Sequence, residues 1–140
     1  MAGTVVADTI RADSTSTLVL RNGVANTPPT IQDNAGTQIG TFCRAWVNFN
    51  GTGTVAIRAS FNVTSITDNG TGDYTANLTT ALSDTNYAVC VTAQVAAGAA
   101  SRNNLPNAEP ITTSTARLRI LSAADGSLTD QAFVFAAIFR

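Results

Sequence analysis

The sequence contains few of the residues that nucleophilic catalysis requires. The chain of 140 residues contains no His, and its eight cationic side chains are all arginines beside nine carboxylates. A Ser or Cys nucleophile normally needs a neighbouring imidazole or amine to take its proton. Cys43 and Cys90, the two cysteines, have no such group to activate them. We therefore expect no enzymatic activity and assign no catalytic residue.

The carboxylates that could act as an acid and base pair are Asp68 and Asp73, which flank the segment DNGTGD. Asp is a common turn former, and Gly supplies the backbone angles that tight turns need. The segment lacks the spacing and the downstream bidentate Glu of a calcium-binding EF-hand. Two cysteines without His do not make a zinc site. The sequence therefore predicts a turn here, with no metal and no cofactor.

Charge and hydropathy limit the partners. The net charge of −1 and the scattered arginines predict no attraction to nucleic acid. No apolar run is long enough to span a bilayer, and the first residues lack the pattern of a signal peptide. We expect a protein without membrane insertion that is made and kept inside a cell until it is assembled into something or released. Its two cysteines are interpreted as buried free thiols, with a disulfide as the open alternative.

Alternation of apolar and polar residues is the main structural signal. It predicts half-buried antiparallel strands over 54–66, 87–95 and 112–121. Asn50-Gly51 and the DNGTGD segment predict hairpins, whereas 97–110 is expected to be a long loop. No segment combines a cap with a helical period. The fold class is therefore predicted to be all-β, an antiparallel β-sandwich.

The chain divides into two parts. Residues 1–42 contain short apolar pieces separated by turn residues, at 4–10, 17–20, 30–31 and 37–42. Each piece is too short to bury a core alone, so we expect an extended N-terminal arm that needs other copies or another protein. Residues 43–140 are expected to form the sandwich.

The last strand is apolar on both faces. Phe133, Phe135 and Phe139 alternate with small and branched apolar residues. Such a strand is either covered on both sides within one chain or forms a subunit interface. Trp46 lies on the polar register of its strand, where it could bind sugar, anchor a neighbouring subunit or cover the edge of its own domain. We predict an oligomer interface formed by Phe133, Phe135, Phe139 and Trp46.

Two sequence segments, AWVNFNGTGTVAIRASFNV and SITDNGTGDY, follow Cys43, and the segment IQDNAGTQIGTFCRAW leads into them. Together with a Thr-rich strand and NYAV, this run over about 37–95 resembles a segment of bacteriophage tail-fibre and related virion proteins. The resemblance implies a trimeric β-structured domain on a virus particle. Typical fibres carry a long shaft before this domain, whereas here only some 40 residues precede it, which favours a short fibre or a module fixed directly on the capsid or baseplate.

The expected function is that of a short homotrimeric tail fibre in the virion. Residues 1–42 would attach it to baseplate, tail or capsid proteins, and loops around 67–73, 97–110 and 122–130 would meet a host surface glycan. The predicted ligand-facing residues are Asp68, Asn69, Asp73, Asn103 and Asn104. The alternative is a head decoration protein that stabilises the capsid lattice without a host ligand.

Overall fold

The structure is a computed structural model that describes residues 29–94, 104–110 and 112–140. Within these ranges the chain forms ten strands and no helix, which confirms the all-β prediction. The strands are β1 Ile31–Gln32, β2 Gln38–Gly40, β3 Cys43–Asn50, β4 Ala56–Phe61, β5 Val63–Gly70, β6 Asp73–Leu78, β7 Ala88–Gln94, β8 Asn104–Pro110, β9 Thr115–Ser122 and β10 Phe133–Phe139.

Eight of these strands form two four-stranded sheets. Sheet 1 has the order β4-β3-β10-β7, and sheet 2 has the order β5-β6-β9-β8. All neighbouring strands are antiparallel. The two sheets pack as a β-sandwich, and β1 and β2 pair separately as a hairpin that precedes it.

The core lies between the sheets because alternate side chains of each strand point inward. Phe49 from sheet 1 meets Tyr74 from sheet 2 edge to face, with ring centroids 5.1 Å apart. Both are fully buried. The predicted alternation of β9 and β10 is confirmed, since every second residue of each is buried. The other buried apolar residues are Ala45, Val47, Val63, Ala76, Leu78, Leu82, Tyr87, Ala116, Leu118, Ile120, Val134, Ala136 and Ile138.

The prediction of one strand over 54–66 is wrong. The segment splits at Asn62, which has a φ of 56°, and its two halves become β4 of sheet 1 and β5 of sheet 2. Asn is one of the few residues that adopt this left-handed region readily. Its Nδ2 donates to the carbonyl of Arg44 and that of Thr80, and its Oδ1 accepts from the Thr80 N–H. These bonds fix the corner between the sheets.

The prediction of a long loop over 97–110 is also wrong in its second half. Residues 104–110 form β8, which pairs with β9 from Asn104↔Ser122 to Pro110↔Ala116. β8 is an edge strand of sheet 2. Proline is tolerated on an edge because one side of the strand needs no ladder hydrogen bonds. Asn104 is thus a strand residue, and Asn103 lies outside the described residues.

The two ends of the sandwich differ in their connections. The chain enters β3 at Cys43 and leaves β10 at Phe139, and these two residues are paired. We call this the proximal end. The turns at 51–55, 71–72 and 123–132 all lie at the opposite, distal end, because each connects strands that run away from the proximal end. The point where the chain enters the sandwich and these turns therefore lie at opposite ends.

Most of the predicted N-terminal arm lies outside the residues that the structure describes. Residues 1–28, with the apolar pieces 4–10 and 17–20, are among those the structure leaves undescribed. The pieces at 30–31 and 37–42 contribute to the β1–β2 hairpin. The Asp33 side chain closes its turn by accepting from the backbone N–H groups of Ala35 and Thr37.

Tyr74 places a polar hydroxyl group in the core, where it requires hydrogen-bond partners. Its ring is fully buried, and its hydroxyl lies 2.7 Å from Asp130 Oδ1 and 2.8 Å from the Gly51 carbonyl. Burial is the main cause that raises the pKa of Tyr74 well above its ordinary value of 10.0, and the hydrogen bond with Asp130 adds to it. The folded chain therefore keeps the phenol proton at alkaline pH.

Tyr74→Phe should flatten the alkaline loss of stability. Above about pH 10 the unfolded wild type releases the phenol proton and the folded state does not, so its free energy of unfolding falls by up to about 1.4 kcal/mol per pH unit. The variant has no phenol proton to release, so its alkaline slope should be flatter. At pH 7 its free energy of unfolding should be about 1–3 kcal/mol lower than that of the wild type, because the hydrogen bonds of the hydroxyl are lost. Urea unfolding from pH 7 to 11 measures both effects. Equal alkaline slopes for the two proteins would contradict the assignment.

Candidate functional site

The two outer faces of the sandwich have opposite chemistry. The face of sheet 1 that points away from the core is rich in aromatic and small apolar residues, and we call it the aromatic face. Its apolar members are Trp46, Ala59, Phe61, Cys90, Phe133, Phe135, Ala137 and Phe139. The outer face of sheet 2, which we call the polar face, carries Ser, Thr, Asn and charged side chains.

Strand register brings the aromatic face together from four separate segments. Trp46 lies opposite Phe61 on one side and opposite Ala137 on the other, and Ala137 lies opposite Cys90. Trp46 is 40% exposed and Phe61 is 54% exposed. Small residues beside a large indole leave a shallow groove of about 400 Å³ between Trp46 and Phe135. The face is therefore neither smooth nor covered by the described residues.

Cations and aromatic rings also meet on this face. Phe133 and Phe135 are stacked with centroids 6.4 Å apart, and the guanidinium carbon of Arg58 lies 4.3 Å from the centroid of Phe133. The register of β4 shifts opposite Asn48 and Phe49. This bulge turns Phe61 to the aromatic face, although the simple alternation of the sequence places it with Ile57.

Two polar side chains interrupt the aromatic face. The Oδ1 atom of Asn48 is buried, and no described residue donates a hydrogen bond to it. The Cys90 thiol is exposed, whereas Cys43 is half-buried and donates to the carbonyl of Ala45. Both cysteines are free thiols. The interpretation of buried thiols is wrong for Cys90, because its strand turns alternate residues to the outside.

Many side chains of the polar face hydrogen-bond to one another, although the buried Arg119 Nε has no partner among the described residues. Asn77 donates to the hydroxyls of Ser65 and Thr67, and Asn69 donates to the hydroxyl of Thr75. These bonds link β5 to β6. The side chains that the sheet itself orders are therefore occupied with one another rather than turned outward.

Ion pairs complete the polar face. Arg117 on β9 binds both carboxylate oxygens of Asp73 on β6, and Arg119 binds Glu109 on β8 at 2.7 Å. The hydrogen bond from Arg117 is the largest cause that lowers the pKa of Asp73, with a further contribution from Asn69. Asp73 is therefore ionised and neutralised within the sheet. Its position makes it a poor general acid.

Chemistry that needs clustered ligands is not visible in the described ranges. Among residues 29–94, 104–110 and 112–140, no three His, Cys, Asp or Glu side chains lie close enough to hold a metal ion. The same ranges contain no helix that is long and apolar enough to cross a membrane.

One carboxylate joins the turns at the distal end. Asp130 Oδ1 accepts hydrogen bonds from the Gly72 N–H and the Tyr74 hydroxyl, both at 2.7 Å. The Gly51 N–H donates to the carbonyl of Gln131 at 3.0 Å. The close approach needs glycine, because a Cβ at Gly51 would lie 2.6 Å from the Tyr74 oxygen. Turns 51–55, 71–72 and 123–132 are thus fixed to one another.

The predicted ligand-facing residues are placed differently from the expectation. The segment 67–73 is mostly strand, with a two-residue turn at 71–72, so Asp68 and Asn69 lie at the end of β5. Asp68 accepts from the Gly70 N–H, and Asp73 is buried against Arg117. Residues 122–130 do lie beside this turn, through Asp130. The structure therefore brings these segments together but uses their polar groups internally.

Asp130→Ala should loosen the distal turns as a unit. The substitution removes the acceptor of the Gly72 N–H and one partner of Tyr74, which costs about 1–3 kcal/mol. Hydrogen exchange of backbone amides should quicken in 51–54 and 71–72. Asp125→Ala is the matched control, because Asp125 accepts only from nearby groups such as Ser127 in its own turn. Equal exchange in both variants would show that Asp130 does not couple the turns.

The predicted interface residues come to one face, although the structure shows no partner on them. Phe133, Phe135 and Phe139 are half-buried on β10, and Trp46 lies beside them on β3. Sequence reasoning missed Phe61 and Arg58, because nothing in the sequence marks the bulge. It also missed Asp130, whose partners are more than 50 residues away. No family model, no curated protein and no solved structure matches this chain.

Proposed function

We propose that this chain is a structural protein of a bacteriophage particle that assembles as a homotrimer and acts by attachment rather than by catalysis. The virus assignment rests on the resemblance of 37–95 to tail-fibre segments. The single observation that carries the assembly is the aromatic face. Trp46 and Phe61 are among the most exposed large apolar residues of the described chain, and three phenylalanines lie beside them.

An exposed cluster of this kind is typical of a protein interface. Aromatic residues are enriched at interfaces, and charged residues are depleted at their centres. The four strands of sheet 1 contain two arginines and no carboxylate. The buried Asn48 Oδ1, which lacks a donor within the described residues, lies on the same face. The polar face, by contrast, pairs its carboxylates with arginines of the same sheet, although the buried Arg119 Nε also lacks a partner among the described residues.

The ends of the sandwich suit attachment and display. Residues 1–42 lead into the proximal end, where they would bind baseplate, tail or capsid proteins. The distal turns are held together by Asp130 and would point away from the particle. In a short tail fibre they would meet a host surface glycan, and three copies would raise the avidity for a repeating ligand.

One observation favours the second candidate, a head decoration protein. Asn69 and Asp73, which were expected to face a ligand, hydrogen-bond within the polar face instead. A decoration protein needs no host ligand, so such side chains would serve stability alone. In that role the aromatic face would still hold three copies together at a lattice point.

The molar mass in solution tests the assembly. Wild type at micromolar concentration should scatter light as three times 14.4 kDa. Phe135→Asp and Trp46→Ser should each give folded single chains, because neither residue belongs to the buried core. Thr67→Asp on the polar face is the matched control and should remain trimeric. A single-chain wild type, or trimers that survive both substitutions, would contradict the proposal.

The position in the particle separates the two roles. Imaging of virions that carry a tag at the C terminus should place the tag at the tail for a fibre and on the head lattice for a decoration protein. Purified trimer should adsorb to host cells and block infection only in the first case. Absence of the tag from purified virions would exclude both roles.

A further inference from the structure

Two Asn-Gly pairs in the described part of the chain have the same local sequence but different surroundings. Residues 50–53 and 69–72 both read Asn-Gly-Thr-Gly, and a third pair, at 22–23, lies outside the described residues. In such a pair the backbone nitrogen of the glycine can attack the side-chain amide carbon of the asparagine, because glycine has no Cβ to hinder the approach. Since the local sequences match, a difference in this reaction between the two pairs has to come from the fold.

The pair at Asn50 is held in place on all sides. Gly51 is buried, and its N–H donates to the carbonyl of Gln131 at 3.0 Å. Both ends of the Asn50 amide are bound, since Nδ2 donates to the carbonyl of Thr52 at 2.6 Å and Oδ1 accepts from the Thr52 hydroxyl at 2.9 Å. A Cβ placed at Gly51 would lie 2.6 Å from the Tyr74 oxygen, so this backbone has no room to turn. The attacking nitrogen and the amide are therefore both bound to other groups.

The pair at Asn69 lies in open surroundings. Asn69 and Gly70 are both exposed, at the end of β5. Gly70 has a φ of 128°, and a Cβ placed on it would meet nothing within 4 Å. The Asn69 amide is anchored through Nδ2, which donates to Thr75 Oγ1 at 2.9 Å and to Asp73 Oδ1 at 3.3 Å. The backbone therefore has room to turn its nitrogen toward the amide carbon, and water has access to the product.

A carboxylate is in place to take the proton from the attacking nitrogen. Asp68 Oδ1 accepts a hydrogen bond from the Gly70 N–H at 2.9 Å, a distance that suits a general base. At the other pair, the acceptor of the Gly51 N–H is a backbone carbonyl, which does not take up a proton at neutral pH. The residue there that corresponds to Asp68 is Phe49, which is buried. A base beside the attacking nitrogen is thus present at one pair and absent from the other among the described residues.

We propose that Asn69 is a site of spontaneous covalent modification, at which the asparagine is converted to aspartate and isoaspartate through a succinimide. The Gly70 nitrogen bonds to Cγ of Asn69 while its proton passes to Asp68. The Cγ–Nδ2 bond then breaks, and the nitrogen leaves as ammonia with the proton that Asp68 had taken up. Water opens the succinimide ring at either carbonyl. The reaction needs only water, so it is independent of the proposed role in a virion.

Conversion changes the charge and the backbone at the distal end. A carboxylate at position 69 replaces the amide that donates to Asp73, so two like charges face each other across β5 and β6, which destabilises a sheet. Isoaspartate also lengthens the backbone by one atom beside the pair Gly70↔Asp73. Because the neighbouring Gly72 N–H binds Asp130, conversion of Asn69 would loosen this distal turn.

Peptide mapping by mass spectrometry tests the site. Purified wild type is incubated at mildly alkaline pH, in native buffer and in guanidinium chloride, and samples taken over time are digested with trypsin. Trypsin separates the two sites, because peptide 45–58 contains Asn50 and peptide 59–102 contains Asn69. Fragment ions of the second peptide then identify the converted residue.

The two conditions separate the effect of the fold from that of the sequence. In the denaturant, Asn50 and Asn69 should convert at similar rates. In native buffer, Asn69 should convert at least about tenfold faster than Asn50, because conversion at Asn50 first requires local unfolding. Equal native rates at the two sites, or conversion of Asn69 in the denaturant alone, would overturn the inference.

A variant tests the carboxylate. Asp68→Asn keeps an oxygen that accepts from the Gly70 N–H but does not take up its proton, so conversion of Asn69 in native buffer should slow by at least about tenfold. Its rate in guanidinium chloride should stay close to that of the wild type. Asp84→Asn, which removes a carboxylate that binds Arg140 at the proximal end, is the matched control and should convert like the wild type. An unchanged native rate for Asp68→Asn would overturn the role of Asp68 as the base.

Discussion

Two packed sheets have four faces, and only two of them can bury each other. This constraint governs the molecule, because β10 carries apolar side chains on both of its faces. Val134, Ala136 and Ile138 fill the core, so Phe133, Phe135 and Phe139 are turned to the outside. Full burial of a phenylalanine stabilises a protein by about 1.5–3 kcal/mol. Much of that free energy stays available to an assembly and is absent from the single chain.

The polar face shows how the chain treats a surface that is rich in charged and polar side chains. Its charges are paired across neighbouring strands, as in Asp73 with Arg117 and Glu109 with Arg119. The exposed Glu109 pair contributes little to stability, whereas Asp73 is buried beside its arginine, and neither carboxylate is left without an opposite charge. The strands of the aromatic face carry two arginines and no carboxylate. The two outer faces therefore give the sandwich a direction, with one side suited to water and the other to protein.

The sequence predicted the parts of the fold that depend on local alternation. The inward residues of β9 and β10 follow a period of two, and the hairpin at Asn50-Gly51 follows from turn chemistry. The corner at Asn62 was not predicted, because the alternation of apolar and polar residues continues through it. Strand β8 was not predicted, because two prolines suggest a loop. Only its pairing with β9 identifies it as an edge strand. The place of Phe61 depends on a bulge, and that of Asp130 on contacts with distant turns, so neither has a local signature.

Separation along the strands explains how one small domain could both assemble and present a surface. A strand of eight residues such as β3 is about 27 Å long. The β1–β2 hairpin leads into one end of that length, and the turns joined by Asp130 lie at the other. Contacts made at the proximal end would therefore not reach the distal turns. Because Asp130 binds Gly72 and Tyr74 directly, those turns keep their shape without help from a neighbour, and their sequence is free to vary wherever it does not contact this carboxylate.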